Sequence, residues 1–88
     1  MPWKVEFERE AEKELDQIDR QHAKRILKYL FERIEGMDDP RRFGEALKQN
    51  LSGFWKYRVG NYRIICDIQE ETMTVLVVRI GHRKKVYK

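Results

Sequence analysis

Hydrophobic residues change their spacing along the chain, and each change predicts a different element. In residues 2–7, Trp3, Val5 and Phe7 alternate with charged residues, which is the period-two pattern of a half-buried strand. From Glu8 the spacing becomes three and four residues, which predicts a first amphipathic helix. The apolar positions of that helix are Phe7, Ala11, Leu15 and Ile18.

A second helix is predicted directly after the first, with Asp19 as its N-cap and Gly36 at its end. Its apolar stripe is formed by Ala23, Ile26, Leu27, Leu30, Phe31 and Ile34. The two helices therefore form a hairpin. Residues 36–53 contain Pro40 and several glycines, and they are predicted to be a long connection without a strand.

The C-terminal part is strand-like, with runs at 54–59, 62–69 and 73–80 followed by a basic tail. Residues 1–88 contain no repeat and no flexible linker, so the chain is predicted to be a single domain. The predicted fold is α+β, in the order β-α-α-β-β-β. An N-terminal strand and a helical hairpin pack on a curved, mainly antiparallel sheet.

The first hairpin has a defined register, because Gly60-Asn61 is a typical two-residue turn. This turn pairs Arg58 with Arg63. One face then carries the core residues Trp55, Tyr57, Val59, Tyr62, Ile64, Cys66 and Ile68, and the other carries Lys56, Arg58 and Arg63. Like charges opposite each other destabilise a sheet, so an anionic ligand is one explanation. The alternative is that the long stems extend into water.

The charge of +4 is distributed unevenly: residues 1–53 hold eleven Lys and Arg against twelve Asp and Glu, and residues 54–88 hold eight against three. This asymmetry indicates a polyanionic partner, nucleic acid before membrane, or else a basic surface kept for solubility. The single cysteine, Cys66, favours a reducing compartment, and the cytoplasm is expected. No signal peptide and no membrane span are predicted.

Cations without a carboxylate pair or metal ligands favour RNA cleavage in which the 2′-OH attacks the adjacent phosphate, with no metal and no cofactor. Lys56 is the candidate proton acceptor, and Arg63 and Arg83 are candidates for stabilising the phosphate. Tyr87 is predicted to stack on a base or position the hydroxyl, and His82 to donate a proton. Lys84 and Lys85 are predicted to bind RNA phosphates.

The segments "LSGFWKYRVGNYRIICDI" and "VRIGHRKKVY" resemble the RelE family of type II toxins, within the RelE/ParE superfamily, and the resemblance covers the whole chain. It implies a ribosome-dependent mRNA endonuclease that acts in the ribosomal A site. It also implies a cognate antitoxin as partner, with operator DNA bound by the toxin-antitoxin complex. The positions that match the family's catalytic and RNA-binding set are Lys56, Arg58, Arg63, Arg83 and Tyr87, and His82 matches a catalytic histidine of some relatives.

Two other functions remain open at this stage. The ParE branch shares the fold but is associated with DNA gyrase and lacks the full catalytic set, whereas Arg63, Arg83 and Tyr87 favour the nuclease. A non-catalytic nucleic-acid-binding module is the second alternative, since the basic patch alone gives salt-dependent binding. Arg58 stands where some RelE members have lysine, so the identity of the proton acceptor is open.

Overall fold

A computed structural model describes residues 3–36 and 38–82 of the chain. The helices are α1 (Arg9–Gln17) and α2 (Arg20–Tyr29), and α2 continues into a π-helical turn, Leu30–Ile34. The strands are β1 (Lys4–Phe7), β2 (Glu45–Ala46), β3 (Trp55–Val59), β4 (Tyr62–Gln69) and β5 (Thr74–His82). Short 3-10 turns flank β2 at Pro40–Arg42 and Gln49–Leu51.

The second helix begins and ends where its sequence signals indicate. The backbone N–H of Gln21 donates to the side chain of Asp19 at 3.2 Å, which caps the helix start. Gly36 has a φ of +87°, which suits a helix end. The buried stripe of α2 and its π-helical turn is narrower than predicted. Its fully buried residues are Ile26, Leu30 and Ile34, which are four residues apart. Phe31 lies at its margin and is 43% exposed.

The five strands form one sheet in the order β1-β5-β4-β3-β2. β1 runs parallel to β5, and the other neighbours are antiparallel. The register of the β3–β4 hairpin agrees with the sequence prediction, including the pair Arg58 and Arg63. The predicted α+β fold, a helical hairpin on a mainly antiparallel sheet, is therefore confirmed.

The core lies between the helices and one face of this sheet. Its helical side contains Ala11, Ile26, Leu30 and Ile34, and its sheet side contains Tyr57, Ile64, Cys66, Val75 and Val77, all fully buried. The hydroxyl of Tyr57 donates to the carbonyl oxygen of Pro40 at 2.7 Å, so the connection before β2 is held against the core. Within the described residues, no helix is both long enough and apolar enough to cross a membrane.

Two features differ from the sequence prediction. The connection 36–53 is not only a loop, since it contains β2, which pairs with Trp55 and Lys56 of β3. The final strand continues to His82, two residues beyond its predicted end, because Gly81 and His82 pair with Arg63 and Tyr62 of β4. Both pairings depend on a neighbouring strand. The residues that form them therefore show no strand pattern of their own in the sequence.

Candidate functional site

The candidate site is a group of cations on the face of the sheet opposite the helices. Lys56 and Arg58 occupy alternate positions of β3, and Arg63 lies directly opposite Arg58 in β4. The Lys56 side chain is only 12% exposed, whereas Arg58 is exposed to solvent. Since alternate residues of a strand share one face, the structure brings these three cations together as the sequence predicted.

A carboxylate that the sequence analysis did not include also lies in this patch. β2 places Glu45 opposite Lys56, and Lys56 Nζ lies 2.8 Å from Glu45 Oε1. The hydrogen bond from Lys56, followed by the positive charges of Lys56, Arg58 and Arg63, lowers the pKa of Glu45 below its usual range. The sequence analysis predicted a purely cationic patch. The structure shows that the patch also contains an ionised carboxylate.

Gly44 explains how β2 reaches this position. Its φ is +84°, and a Cβ added there would collide with the backbone oxygen of Lys56 and lie 2.7 Å from Trp55 Nε1. Trp55 Nε1 also donates to the carbonyl oxygen of Phe43 at 2.7 Å, which holds the residue before this glycine. Only glycine allows such a close backbone approach at this φ, so Gly44 fixes the position of Glu45.

Space for a ligand lies beside these side chains. A cleft of about 280 Å³ is lined by Tyr29, Phe43, Gly44, Glu45, Lys56 and Arg58, and is called here the β2 cleft. On the same face of the sheet, Arg63 is opposite Gly81 of β5, which has no side chain. Arg58, which lines the β2 cleft and is exposed, is therefore accessible to a phosphodiester.

Residues 5–87 match the family described as ParE toxin of type II toxin-antitoxin system, parDE. The chain belongs to this toxin family. It is similar to toxin RelG of Mycobacterium tuberculosis, with 28% identity over 88 residues, 100% of this chain and 99% of that protein. The resemblance to the RelE/ParE superfamily is thus confirmed.

Solved structures give the same result for the fold. The RelBE2 toxin-antitoxin complex of Mycobacterium tuberculosis contains a chain with a TM-score of 0.85 and 28% identity, over 94% of this chain and 93% of that one. The isolated E. coli RelE toxin has a TM-score of 0.73 and 17% identity, over 97% of this chain and 88% of that chain. At this lower identity the likeness concerns the fold alone.

His82 of the toxin is not brought together with the three cations. It pairs with Tyr62 at the end of β5, and the two rings are 5.8 Å apart in an edge-on arrangement. The ring of His22 lies on Tyr62 as well, at 5.4 Å. Tyr62 belongs to the helix-covered face of the sheet, so the structure places His82 on the opposite side from Lys56, Arg58 and Arg63.

The remaining predicted site residues, Arg83, Lys84, Lys85 and Tyr87, lie outside the described residues, and their roles stay predictions. Within residues 3–36 and 38–82, no group of three or more His, Cys, Asp or Glu side chains is arranged to hold a metal ion. Chemically, the described patch can bind an anion through its cations and accept a proton at Glu45.

Sequence reasoning missed Glu45 because it lies in a two-residue strand that has no detectable period. It also missed a second group of cations on α2, formed by Arg25 and Lys28 together with Arg33 of the following turn. The spacing of Arg25 and Lys28, three residues apart, was a usable signal for a shared helix face. Glu45 had no comparable signal.

Proposed function

We propose that this toxin is a ribosome-dependent mRNA endonuclease that cleaves RNA by attack of the 2′-OH on the adjacent phosphate, with no metal taking part. The observation that carries the proposal is the joint placement of Lys56, Arg58 and Arg63 with Glu45 on one face of the sheet. Cations aimed at a phosphate stabilise the extra negative charge of the transition state. An adjacent carboxylate supplies the proton acceptor that this reaction needs.

In the proposed reaction, the 2′-oxygen forms a bond to phosphorus as its proton passes to Glu45, and the bond from phosphorus to the 5′-oxygen breaks as that oxygen takes a proton from water. The products are a 2′,3′-cyclic phosphate and a 5′-hydroxyl. Lys56 is the sequence-based candidate for the acceptor. However, an ammonium has three donors and no acceptor, so in the observed pair only the carboxylate can accept a proton, and the cations that lower its pKa make it a weak base. Lys56 then stabilises the phosphate together with Arg58 and Arg63.

The resemblance to RelE toxins adds Arg83 and Tyr87 to this set. Arg83 follows Gly81 by two residues in the chain, and Gly81 lies opposite Arg63 in the sheet. This proximity in sequence supports a role of Arg83 at the same phosphate, and Tyr87 is proposed to position the attacking hydroxyl or stack on a base. Lys84 and Lys85 are proposed to contact neighbouring phosphates.

A cognate antitoxin is the proposed protein partner, in the cytoplasm. The similar RelBE2 structure from Mycobacterium tuberculosis is a toxin-antitoxin complex, at 28% identity. We further infer that operator DNA is bound only by the complex of toxin and antitoxin. The basic patch alone does not provide sequence readout, since phosphate contacts carry no base information.

A gyrase-directed toxin without nuclease activity is the second candidate, because the matching family is described as ParE toxin. The two functions differ in what the patch must do. If the toxin acts on gyrase, substitutions at Lys56, Arg58 or Arg63 should leave its toxicity intact. A plain nucleic-acid-binding module predicts RNA binding without any strand cleavage.

Primer extension on mRNA, with purified toxin and with or without programmed ribosomes, tests the proposal. We expect cuts only on ribosome-bound mRNA. Glu45→Gln should lower the cleavage rate at saturating ribosomes by about 10²-fold, the lower end of the usual contribution of a general base, because the lowered pKa of Glu45 makes it a weak base. Arg63→Ala should also lower it, since its guanidinium would bind the phosphate. Lys13→Ala, which removes an exposed cation of α1, is the matched control and should cleave normally.

Each alternative has its own outcome in this assay. The absence of cuts by the wild type under all conditions would refute the nuclease and direct attention to gyrase. Full activity of Glu45→Gln with loss of activity in Lys56→Gln would return the role of proton acceptor to Lys56.

A further inference from the structure

We propose that a second cleft, between α2 and the outer edge of β3, binds phosphates of the RNA strand next to the cleaved bond. This inference deepens the proposed function and rests on it for the identity of the ligand. The cleft has a volume of about 580 Å³ and is called here the α2 cleft. Its lining includes Arg25, Lys28, Arg33 and Arg58, with one carboxylate, Glu32.

The fold brings these cations together from two elements. Arg25 and Lys28 lie on one face of α2, and Arg33 follows in the π-helical turn. From the other side, β3 contributes Arg58 and ends at Gly60. A Cβ added at Gly60 would lie 3.5 Å from a guanidinium nitrogen of Arg25, so this guanidinium lies directly against the β3–β4 turn. The cations therefore face a common space.

No ion pair among the described residues neutralises the positive charges of this cleft. Among residues 3–36 and 38–82, ion pairs within 4.0 Å involve other cations, and none joins Arg25, Lys28, Arg33 or Arg58 to a carboxylate. All four side chains are exposed. Converging like charges lower stability unless an anion joins them, so an external polyanion fits this surface.

The α2 cleft is continuous with the proposed catalytic surface. Tyr29 and Arg58 line both the α2 cleft and the β2 cleft, which contains Glu45 and Lys56. A nucleic-acid strand whose phosphate lies at Lys56 can therefore pass Arg58 and place further phosphates near Arg25 and Lys28. Such a charged groove following a backbone is typical of single-strand binding.

The composition of the lining favours RNA over an acidic peptide. A peptide that adds to a strand edge is recognised through pockets for alternate side chains. Among the described residues, the α2 cleft offers only Val59 and Tyr29 as apolar or aromatic surface, and the rest of its lining is mainly charged. Phosphates along a strand, by contrast, need only cations at intervals.

The test measures the salt dependence of RNA binding by fluorescence anisotropy, with a labelled single-stranded RNA that carries 2′-O-methyl groups throughout and cannot be cleaved. The cleft variant is Arg25→Gln/Lys28→Gln. The matched control is Arg20→Gln/Lys24→Gln, which removes the same charges from exposed positions of the same helix outside the cleft lining. Glutamine retains helix propensity, and thermal unfolding of both variants checks that they are folded.

For single strands, each lost phosphate contact reduces the slope of log affinity against log salt by about 0.7. We expect a reduction of about 1.4 for the cleft variant and no change for the control. Arg33→Gln alone should reduce the slope by about 0.7. An unchanged slope in the cleft variant would overturn the proposal, as would equal reductions in both double variants, which indicate a general charge effect.

Two further results separate this inference from the nuclease itself. The first is that wild-type toxin cuts mRNA on ribosomes while the cleft variant keeps the wild-type salt slope of RNA binding. In that case the proposed function stands and the α2 cleft is not an RNA site. If no RNA is cut but the slope falls as expected, the cleft binds nucleic acid and the nuclease is refuted. A Glu-rich peptide that binds the wild type and not the cleft variant, with an unchanged RNA slope, would overturn the proposal in favour of a peptide ligand.

Discussion

Replacing Gly44 by alanine tests the link between β2 and the candidate site. Gly44 has a φ of +84°, and its added Cβ would collide with the backbone oxygen of Lys56. It would also lie 2.7 Å from Trp55 Nε1 and 2.9 Å from Tyr57 Cδ1. Because backbone is the nearest obstacle, β2 must move away from β3. We expect this movement to separate Glu45 from Lys56.

The expected loss of stability has two contributions. A left-handed conformation costs an L-residue about 1–2 kcal/mol, and forcing extra atoms into a packed place costs about 1–3 kcal/mol. The sum is about 2–5 kcal/mol, against a total stability of about 4–13 kcal/mol for a domain of this length. For a loss of about 3 kcal/mol, Tm should fall by about 12–24 °C.

Gly36→Ala is the matched control, because Gly36 has a similar φ of +87° and nothing lies within 4 Å of its added Cβ. It should show only the conformational cost of about 1–2 kcal/mol. Urea unfolding of the isolated toxin, followed by circular dichroism, gives the free energy of unfolding of both variants. Primer extension at a temperature where both are folded then compares their cleavage.

The reasoning is refuted if the two alanine variants lose the same stability, since the close approach of β2 and β3 would then have no energetic effect. A Gly44→Ala toxin that loses stability but cleaves at the wild-type rate would have another meaning. It would leave the packing argument intact and contradict the role of Glu45.

Two predictions concern buried groups of the core. Tyr57→Phe removes the hydroxyl that donates to Pro40 at 2.7 Å, and it should cost about 1–3 kcal/mol in urea unfolding, because the carbonyl loses its partner; no loss would contradict this. Burial raises the pKa of the Cys66 thiol, with a smaller effect of Asp67, and burial also raises the pKa of Tyr57. Below the pKa values of these groups in the unfolded chain, about 8.5 for the thiol and about 10 for the phenol, their protonation does not change the free energy of unfolding. As the pH rises above those values toward the higher pKa values of the folded toxin, only the unfolded chain loses the protons, and the free energy of unfolding falls. The urea midpoint should therefore fall only at alkaline pH, and a thiol reagent should modify Cys66 only on unfolding; rapid reaction of the native toxin would contradict this.

The sequence alone was sufficient to predict the fold class and the group of cations on the sheet. The alternation in β3 and β4 and the Gly60-Asn61 turn determine the pairing of Arg58 with Arg63, because a two-residue turn leaves a single register. The helix that begins at Asp19 and ends before Gly36 follows equally local signals. Local geometry and periodicity are properties of neighbouring residues, so the sequence contains them directly.

The tertiary structure decided which other groups join this site. Glu45 meets Lys56 only because Gly44 lets a two-residue strand approach β3, and nothing periodic marks that strand. The apolar residues on both faces of β5 left the face of His82 open until its pairing with Tyr62 was known. Arg25 and Arg58 line one cleft although they are far apart in the chain. Such contacts depend on how separate elements pack, and short-range patterns in a sequence do not record that packing.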